Sequence, residues 1–322
     1  MITRIVFALA MSLSAGAPLA QPQPYPSKPI RLIVPFPAGG PSDLMARLIA
    51  EGIRGPLGQA VVVENRPGAS GNLGTDHVAK SAADGYTLLL SGASSLAVNV
   101  SLFASLPYDP RRDLTPITKV VDIATMLVVP VRSPAKSVSE LIALARTRPG
   151  QLNFASPTSG TINHLLGEHL RASERIDVVH IPYKGNPPAT EALLRGEVDF
   201  MFDNLQSSLP HWRAGKLRVL AVSGPTRAMV LADVPTMAEQ GYAGFEGTAW
   251  FGILGPRGLS SDIQTRLNIE IVRVLREPDF ARRVEAFGMR VDPSTPQALG
   301  ELIERDIARW GALVRSSGAR AD

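Results

Sequence analysis

Residues 30–43, IRLIVPFPAGGPSD, run from a buried-strand pattern into a Pro/Gly turn and then into a helix. Pro35 and Pro37 have no N–H to give, so the turn offers backbone N–H groups at Phe36, Ala38, Gly39 and Gly40, with Ser42 in the helical turn that follows. Free N–H groups at a helix start hold an anion well, and glycine at 39 and 40 permits a backbone shape and an approach that a side chain would block. Taken alone this is an ordinary strand-to-helix connection. A second copy, LNFASPTSGTINHLL over residues 152–166, makes a ligand role the stronger reading, because two such turns suggest the jaws of a clamp.

Other residues are weighed against plainer roles. Asp43, at the third helical position, suits the helix dipole but would repel a bound carboxylate. It is expected to turn aside as a structural cap, the alternative being a cationic ligand group. Ser91, Gly92 and Ala93 begin a small polar turn after a strand, either lining a cleft or forming a loop. Ser156, Thr158, Ser159, Gly160 and Thr161 supply more hydroxyls than one N-cap needs, which points to an oxygen-rich ligand. His164 reaches the cleft or packs. The spacing of His164, Glu168 and His169 misses the metal-binding helix patterns by a residue, so no metal is expected. Lys184, between Tyr183 and Gly185, is the one cation attached to these motifs, either a ligand contact or a solvated lysine. Asp203, with Asn204, bonds the distal end of a ligand or braces its loop.

The catalytic motifs are missing: no GxSxG, HExxH, P-loop lysine or cysteine occurs, and GASGNLG lacks dinucleotide-loop spacing. A binding protein is therefore the better reading, with no catalytic residue and no cofactor, and a periplasmic α/β enzyme acting on a carboxylic acid is a weaker alternative. The chain has 322 residues, 45% of them hydrophobic, no cysteine and a net charge of +4. That is enough for two packed lobes without disulfides. Residues 1–20, with Arg4 before an apolar run and small residues, have the layout of a signal peptide removed on export. Without Arg4, 32 basic against 29 acidic side chains leave +3, too dispersed for nucleic acid but suited to drawing in an anion.

The elements needed to position these residues follow from hydrophobic period. Short apolar runs at residues 30–34, 60–64 and 86–90 alternate with helices, the first capped by Gly40-Pro41 and ended by Gly55-Pro56. Strands at 152–155, 178–181, 198–202 and 217–222, with helices at 138–146, 163–171 and 189–194, form a second such block. Extended runs at 119–129 and 247–254 flank it, and the chain after them is helical. The fold expected is α/β with two lobes, each a mostly parallel sheet flanked by helices, joined by two hinge crossings. Lobe 1 comprises residues 27–122 plus 253–322, and lobe 2 residues 123–252. Ligands in open α/β sheets bind beyond the carboxyl ends of strands, where both glycine turns sit.

PFPAGGPSD, ENRPGASGNLGTDHVAKSAADGYTLL, SGTINHLLGEHL, HIPYKG, VDFMFDN and GTAWFGILGP, in that order, together resemble the tripartite tricarboxylate transporter substrate receptors, the Bug (TctC-like) family. The resemblance implies a periplasmic receptor of the type II binding-protein fold, expected as a monomer, that closes on a small carboxylate and delivers it to a membrane permease. It implies that residues 36–43 grip the carboxylate through backbone groups and bridging waters, opposite the turn from Ser156 to Asn163 and the segment from Tyr183 to Gly185. A dicarboxylate, tricarboxylate, acidic amino acid or aromatic acid fits such a wall. An exported phosphate or sulfate receptor is the alternative.

Overall fold

The computed structural model describes residues 25–224, 226–245 and 248–317, so the signal-peptide expectation for residues 1–20 lies outside the described residues. The chain opens with β1 (Ile30–Val34), α1 (Pro41–Leu57), β2 (Val61–Asn65), α2 (Asn72–Ala79) and β3 (Thr87–Gly92). β1 is hydrophobic throughout except Arg31 because it lies between two parallel neighbours, β2 and β3, with α1 and α2 packed against it.

α1 starts as expected, with Gly40 as an extended N-cap and Pro41 at the first helical position. It ends later than Gly55-Pro56: Pro56 sits in the last turn, and Gly58, at φ 66°, supplies the left-handed C-cap, its N–H reaching Gly55 O at 3.1 Å.

A π-helical turn at Ser94–Val98 leads into α3 (Asn99–Leu102) and then β4 (Leu114–Ile123). After Ala124 the chain enters the second sheet with β5 (Thr125–Pro130), α4 (Val138–Thr147), β6 (Leu152–Ser156), α5 (Ile162–Ser173), β7 (Val178–Pro182), α6 (Asn186–Arg195), β8 (Phe200–Asn204), α7 (Leu205–Arg213) and β9 (Leu217–Ser223). It returns through β10 (Ala249–Pro256) to α8 (Ser261–Leu275), α9 (Pro278–Ala286), β11 (Met289–Val291) and α10 (Pro296–Ser317). Three elements here have no counterpart in the sequence reading: α3 is a single four-residue turn, too short to show a helical period. α7 carries Pro210 and buries only Leu205, Ser208 and Leu209, which hides its helical period, and β11 is a three-residue edge strand.

The two lobes are built on a six-stranded sheet ordered β11-β4-β10-β3-β1-β2 and a five-stranded sheet ordered β7-β6-β8-β5-β9. Both are mixed rather than mostly parallel. The crossing strands cause this: β4 leaves the first sheet and β10 returns to it, so they pair antiparallel, and β10 also runs antiparallel to β3. In the second sheet β5 runs antiparallel to β8 and β9. The parallel part of each sheet, β3-β1-β2 and β7-β6-β8, keeps its strand ends pointed at the other lobe's turns.

α8 and α9 pack on the first sheet's elements, as expected for C-terminal helices. α10 does more. It contacts β4 and α3 in the first lobe and α5 in the second, so that Leu299, Ile303, Trp310 and Val314 belong to one apolar cluster shared with Leu165, Leu166 and Phe154.

Candidate functional site

A cavity of about 440 Å³ lies between the two sheets, where the strand-to-helix turns converge. The jaws touch at its edge: a Cβ on Gly185 would lie 3.5 Å from Pro37 Cγ, and one on Gly39 3.9 Å from Pro187 Cγ.

From the first turn, Phe36, Gly40 and Ser42 line the cavity, while Ala38, Gly39 and Asp43 do not. Asp43 faces aside. Its Oδ2 accepts from Gly39 N and Arg47 Nε, each at 3.1 Å, and Oδ1 pairs with Arg47 Nη2 at 3.0 Å. Burial works to raise its pKa, but bonds from Arg47, Gly39 and Asn65, with the Arg47 charge, hold it below the ordinary carboxylate value. This corrects the nest, since the Gly39 N–H is committed to Asp43. The N–H groups of Phe36, Ala38 and Gly40 carry no hydrogen bond among the described residues.

Beyond β3, Gly92 and Ala93 line the cavity and Ser91 lies behind them, its hydroxyl 2.7 Å from that of Ser95. A Cβ on Gly92 would stand 2.0 Å from Trp250 O, so only glycine lets β3 approach β10 here.

In the second turn, Thr158, Thr161 and Asn163 line the cavity, whereas Ser156, Ser159, Gly160 and His164 do not. Much of the hydroxyl-rich pattern is local wiring. Thr161 caps α5 by accepting from His164 N at 3.3 Å and donates to Thr158 O at 2.9 Å. Ser156 Oγ donates to Thr158 O at 3.0 Å and lies 2.7 Å from His180 Nε2. His164 packs instead of reaching the cleft: its ring stacks on His180 with centroids 4.0 Å apart, and Nδ1 accepts from Gly160 N at 3.1 Å. Burial, helped by the Arg171 charge, pushes His164 down to about 4, and burial with the neighbouring His164 pushes His180 down to about 3. Both are neutral near pH 7.

His164, Glu168 and His180 bring possible metal-ligand atoms within 4.8 Å of one another. The protons are placed against coordination. Because His164 Nδ1 accepts a backbone N–H, its proton sits on Nε2, facing Glu168 Oε1 at 3.8 Å. Because the Ser156 hydroxyl gives its proton to Thr158 O, His180 Nε2 must donate to Ser156. Neither Nε2 keeps a lone pair for an ion.

Tyr183, Lys184 and Gly185 line the cavity, and exposed Lys184 is the one charged side chain among its described lining residues. Asp203 does not line it. Fully buried, it accepts from Asn186 Nδ2 at 2.9 Å, Thr190 Oγ1 at 3.2 Å, Ser208 Oγ and Asn204 N at 2.8 Å. Burial raises its pKa to about 6 against these four bonds. Asp203 thus braces the wall made by Asn186 and Asn204.

The sequence reading left out residues 67–71, Asn186, Pro187, Trp250 and Phe251, all at the cavity. The loop after β2 was discoverable by the strand-end rule applied to β1 and β3. It holds Ala69 at φ 46° and Ser70 at φ 56°, unusual for non-glycine residues. A side chain distant in sequence holds it: Asn99 Nδ2 donates to Ser70 O at 3.1 Å and to Asn72 Oδ1, just beyond the loop, at 2.6 Å. Trp250 is fixed from behind by Asp306, whose Oδ2 accepts from Nε1 at 2.7 Å.

Two α/β lobes, two crossings and a cavity between facing strand ends define a protein of the two-lobed periplasmic-binding class. A family model described as the tripartite tricarboxylate transporter family receptor matches residues 45–319. The chain is 40% identical over 323 residues to protein BugT of Bordetella pertussis, covering 99% of each chain. An R. palustris protein solved with adipate superposes with a TM-score of 0.89 at 34% identity, over 92% of this chain and 99% of that one. MatC from Rhodopseudomonas palustris with bound malate gives 0.85 at 32%, over 90% and 100%. The chain belongs to the TctC family of tripartite tricarboxylate transporter receptors. Among the described residues no helix is long and apolar enough to cross a membrane.

Proposed function

We propose that the chain is an exported receptor that captures a small organic carboxylate between its lobes and delivers it, unchanged, to the permease of a tripartite tricarboxylate-type transporter. The observation that carries this reading is the set of N–H groups at Phe36, Ala38 and Gly40 that carry no hydrogen bond among the described residues, in a turn whose Phe36 and Gly40 line the cavity. Relatives solved with adipate and malate support a carboxylate as the occupant. Four or five hydrogen bonds to a carboxylate, at about 1.5–3 kcal/mol each, cover the roughly 8 kcal/mol of a micromolar complex and leave some for ordering.

Phe36, Gly40, Ser42, Gly92, Ala93, Thr158, Thr161, Asn163, Tyr183, Lys184 and Gly185 are the proposed contacts, with Ala38 contributing its N–H from just behind the surface. Residues 1–20 direct export to the periplasm, and the receptor works as a monomer. Lobe 1 is residues 27–122 plus 253–322 and lobe 2 residues 123–252, hinged at Ala124 and at the return into β10. Pairing of β10 with β4 from Ala249 supports a return slightly ahead of residue 253.

The test is a thermal-shift screen of the mature chain against organic acids, phosphate and sulfate. A ligand at a hundred times its dissociation constant adds about 2.7 kcal/mol, raising the melting point by several degrees. A response to phosphate or sulfate with none to any acid would overturn the carboxylate reading, and turnover of an acid to product would make the chain an enzyme.

A further inference from the structure

Two amides on the second-lobe side of the cavity have their orientation set from behind. Asn163 Nδ2 donates to Phe202 O at 2.8 Å, and Asn186 Nδ2 donates to the Asp203 carboxylate at 2.9 Å. Each nitrogen is tied to a group that only accepts, so the other end of each amide is a carbonyl oxygen. Asn163 is 3% exposed and Asn186 8%, yet neither Oδ1 is sealed in protein or bonded to any described residue. Both residues line the cavity. Two acceptors therefore look into it. Asn186 Oδ1 lies 4.0 Å from where a Cβ on Gly40 would be, beside the donor turn.

Charge adds a second constraint. Lys184 is the one charged residue among the described lining residues and stands exposed beside Gly185, where an added Cβ would lie 3.5 Å from Pro37 Cγ. The cationic group and the N–H turn thus share one end. A second carboxylate beside Asn163 would meet no cation among the described lining residues and would set its lone pairs against that oxygen, at the cost of desolvation without a bond. An N–H or O–H is held there instead. Asn204, buried beside Asn163, accepts weakly from it at 3.4 Å and has an unbonded Nδ2, so a group that both donates and accepts suits the set.

We infer that the occupant is a monoanion, with one carboxylate on the turn at residues 35–40 and an uncharged O–H or N–H group, in place of a second carboxylate, against Asn163. This rests on the carboxylate reading and narrows it. The test is calorimetric titration of the mature chain with succinate, adipate and terephthalate, each beside its monoamide and its monomethyl ester. In any series that binds, the monoamide is expected to bind at least tenfold more tightly than both the diacid and the ester. A diacid or ester that matches its monoamide overturns the inference and leaves the receptor reading standing. Silence of all nine compounds also overturns it, and the acid screen then decides the receptor reading separately. In Asn163→Leu the preference for amide over ester is expected to fall to within twofold, and the wild-type comparison stands whether or not that variant folds.

Discussion

A Cβ placed on Gly160 would stand 2.6 Å from Leu102 Cδ2 and 2.8 Å from Asn99 Oδ1, across the boundary between the lobes. Gly160 also sits at φ 81°. The second-lobe turn therefore meets α3 without a side chain between them. Gly160→Ala is expected to hold the lobes apart and weaken ligand binding at least tenfold, with about 1 kcal/mol lost to backbone strain. Small-angle scattering checks this, since the variant should keep a larger radius of gyration with ligand present. A variant that closes and binds like the wild type would remove this contact from the closing motion.

Trp250, a wall of the cavity, donates to Asp306 on α10 at 2.7 Å, and both are buried. Asp306→Leu leaves the indole N–H without its partner, so a loss of about 1–3 kcal/mol of stability is expected, together with weaker binding as Trp250 shifts. Urea unfolding and calorimetry on the same preparation measure both. Lower stability with unchanged affinity would show that α10 does not position the wall.

Stability should fall on acidification. His164 and His180 titrate near 4 and 3 in the folded chain against an ordinary 6.5, so the unfolded chain takes up protons first as pH drops below 6.5. Their contribution is present above 6.5 and lost between about 6.5 and 3, on the order of 3 kcal/mol for His164 alone over its part of that range. Asp203 works the other way. Its carboxyl titrates near 6 instead of 3.8, so it favours the fold at low pH and loses that contribution as pH rises through 6. Two histidines outweigh one aspartate, and the urea midpoint should be lower at pH 4.5 than at pH 7.5. His164→Asn, which retains an acceptor for Gly160 N, should shrink the difference. A flat wild-type profile would contradict this.

Gly39 tests the turn itself. It lies at φ 83° and gives its N–H to Asp43, but it does not line the cavity. Gly39→Val is expected to abolish binding while the fold survives, because a β-branched residue disfavours that φ and its methyls crowd Pro187. The effect runs through the backbone of the nest, not through a side chain filling it. Unchanged affinity would take the turn out of the site.

Much of the framework was legible in linear order. β1, α1, β6 and α5 could be read because contiguous residues carry their own signal: an unbroken apolar run for a strand covered on both faces, a three-four spacing for a helix, and Gly40-Pro41 at its start. The strand-end rule then put the two turns face to face. What escaped were commitments made by residues far apart. Ser156 looked like a ligand group because its partner His180 is brought to it only by the pairing of β6 with β7, and His164 because its local bond to the Gly160 N–H depends on the shape of the turn and its stacking partner, His180, lies on another element.

The sequence by itself determined the two α/β units and the strand-to-helix turn at residues 35–40, since these depend on local pattern and residue type. Only the tertiary structure decided which polar atoms remain free to meet a ligand. Each buried donor or acceptor takes the nearest partner, and the nearest partner is a matter of packing. Thus Asp43 is held by Arg47 and Asp203 by Asn186, while the oxygens of Asn163 and Asn186 are left facing the cavity.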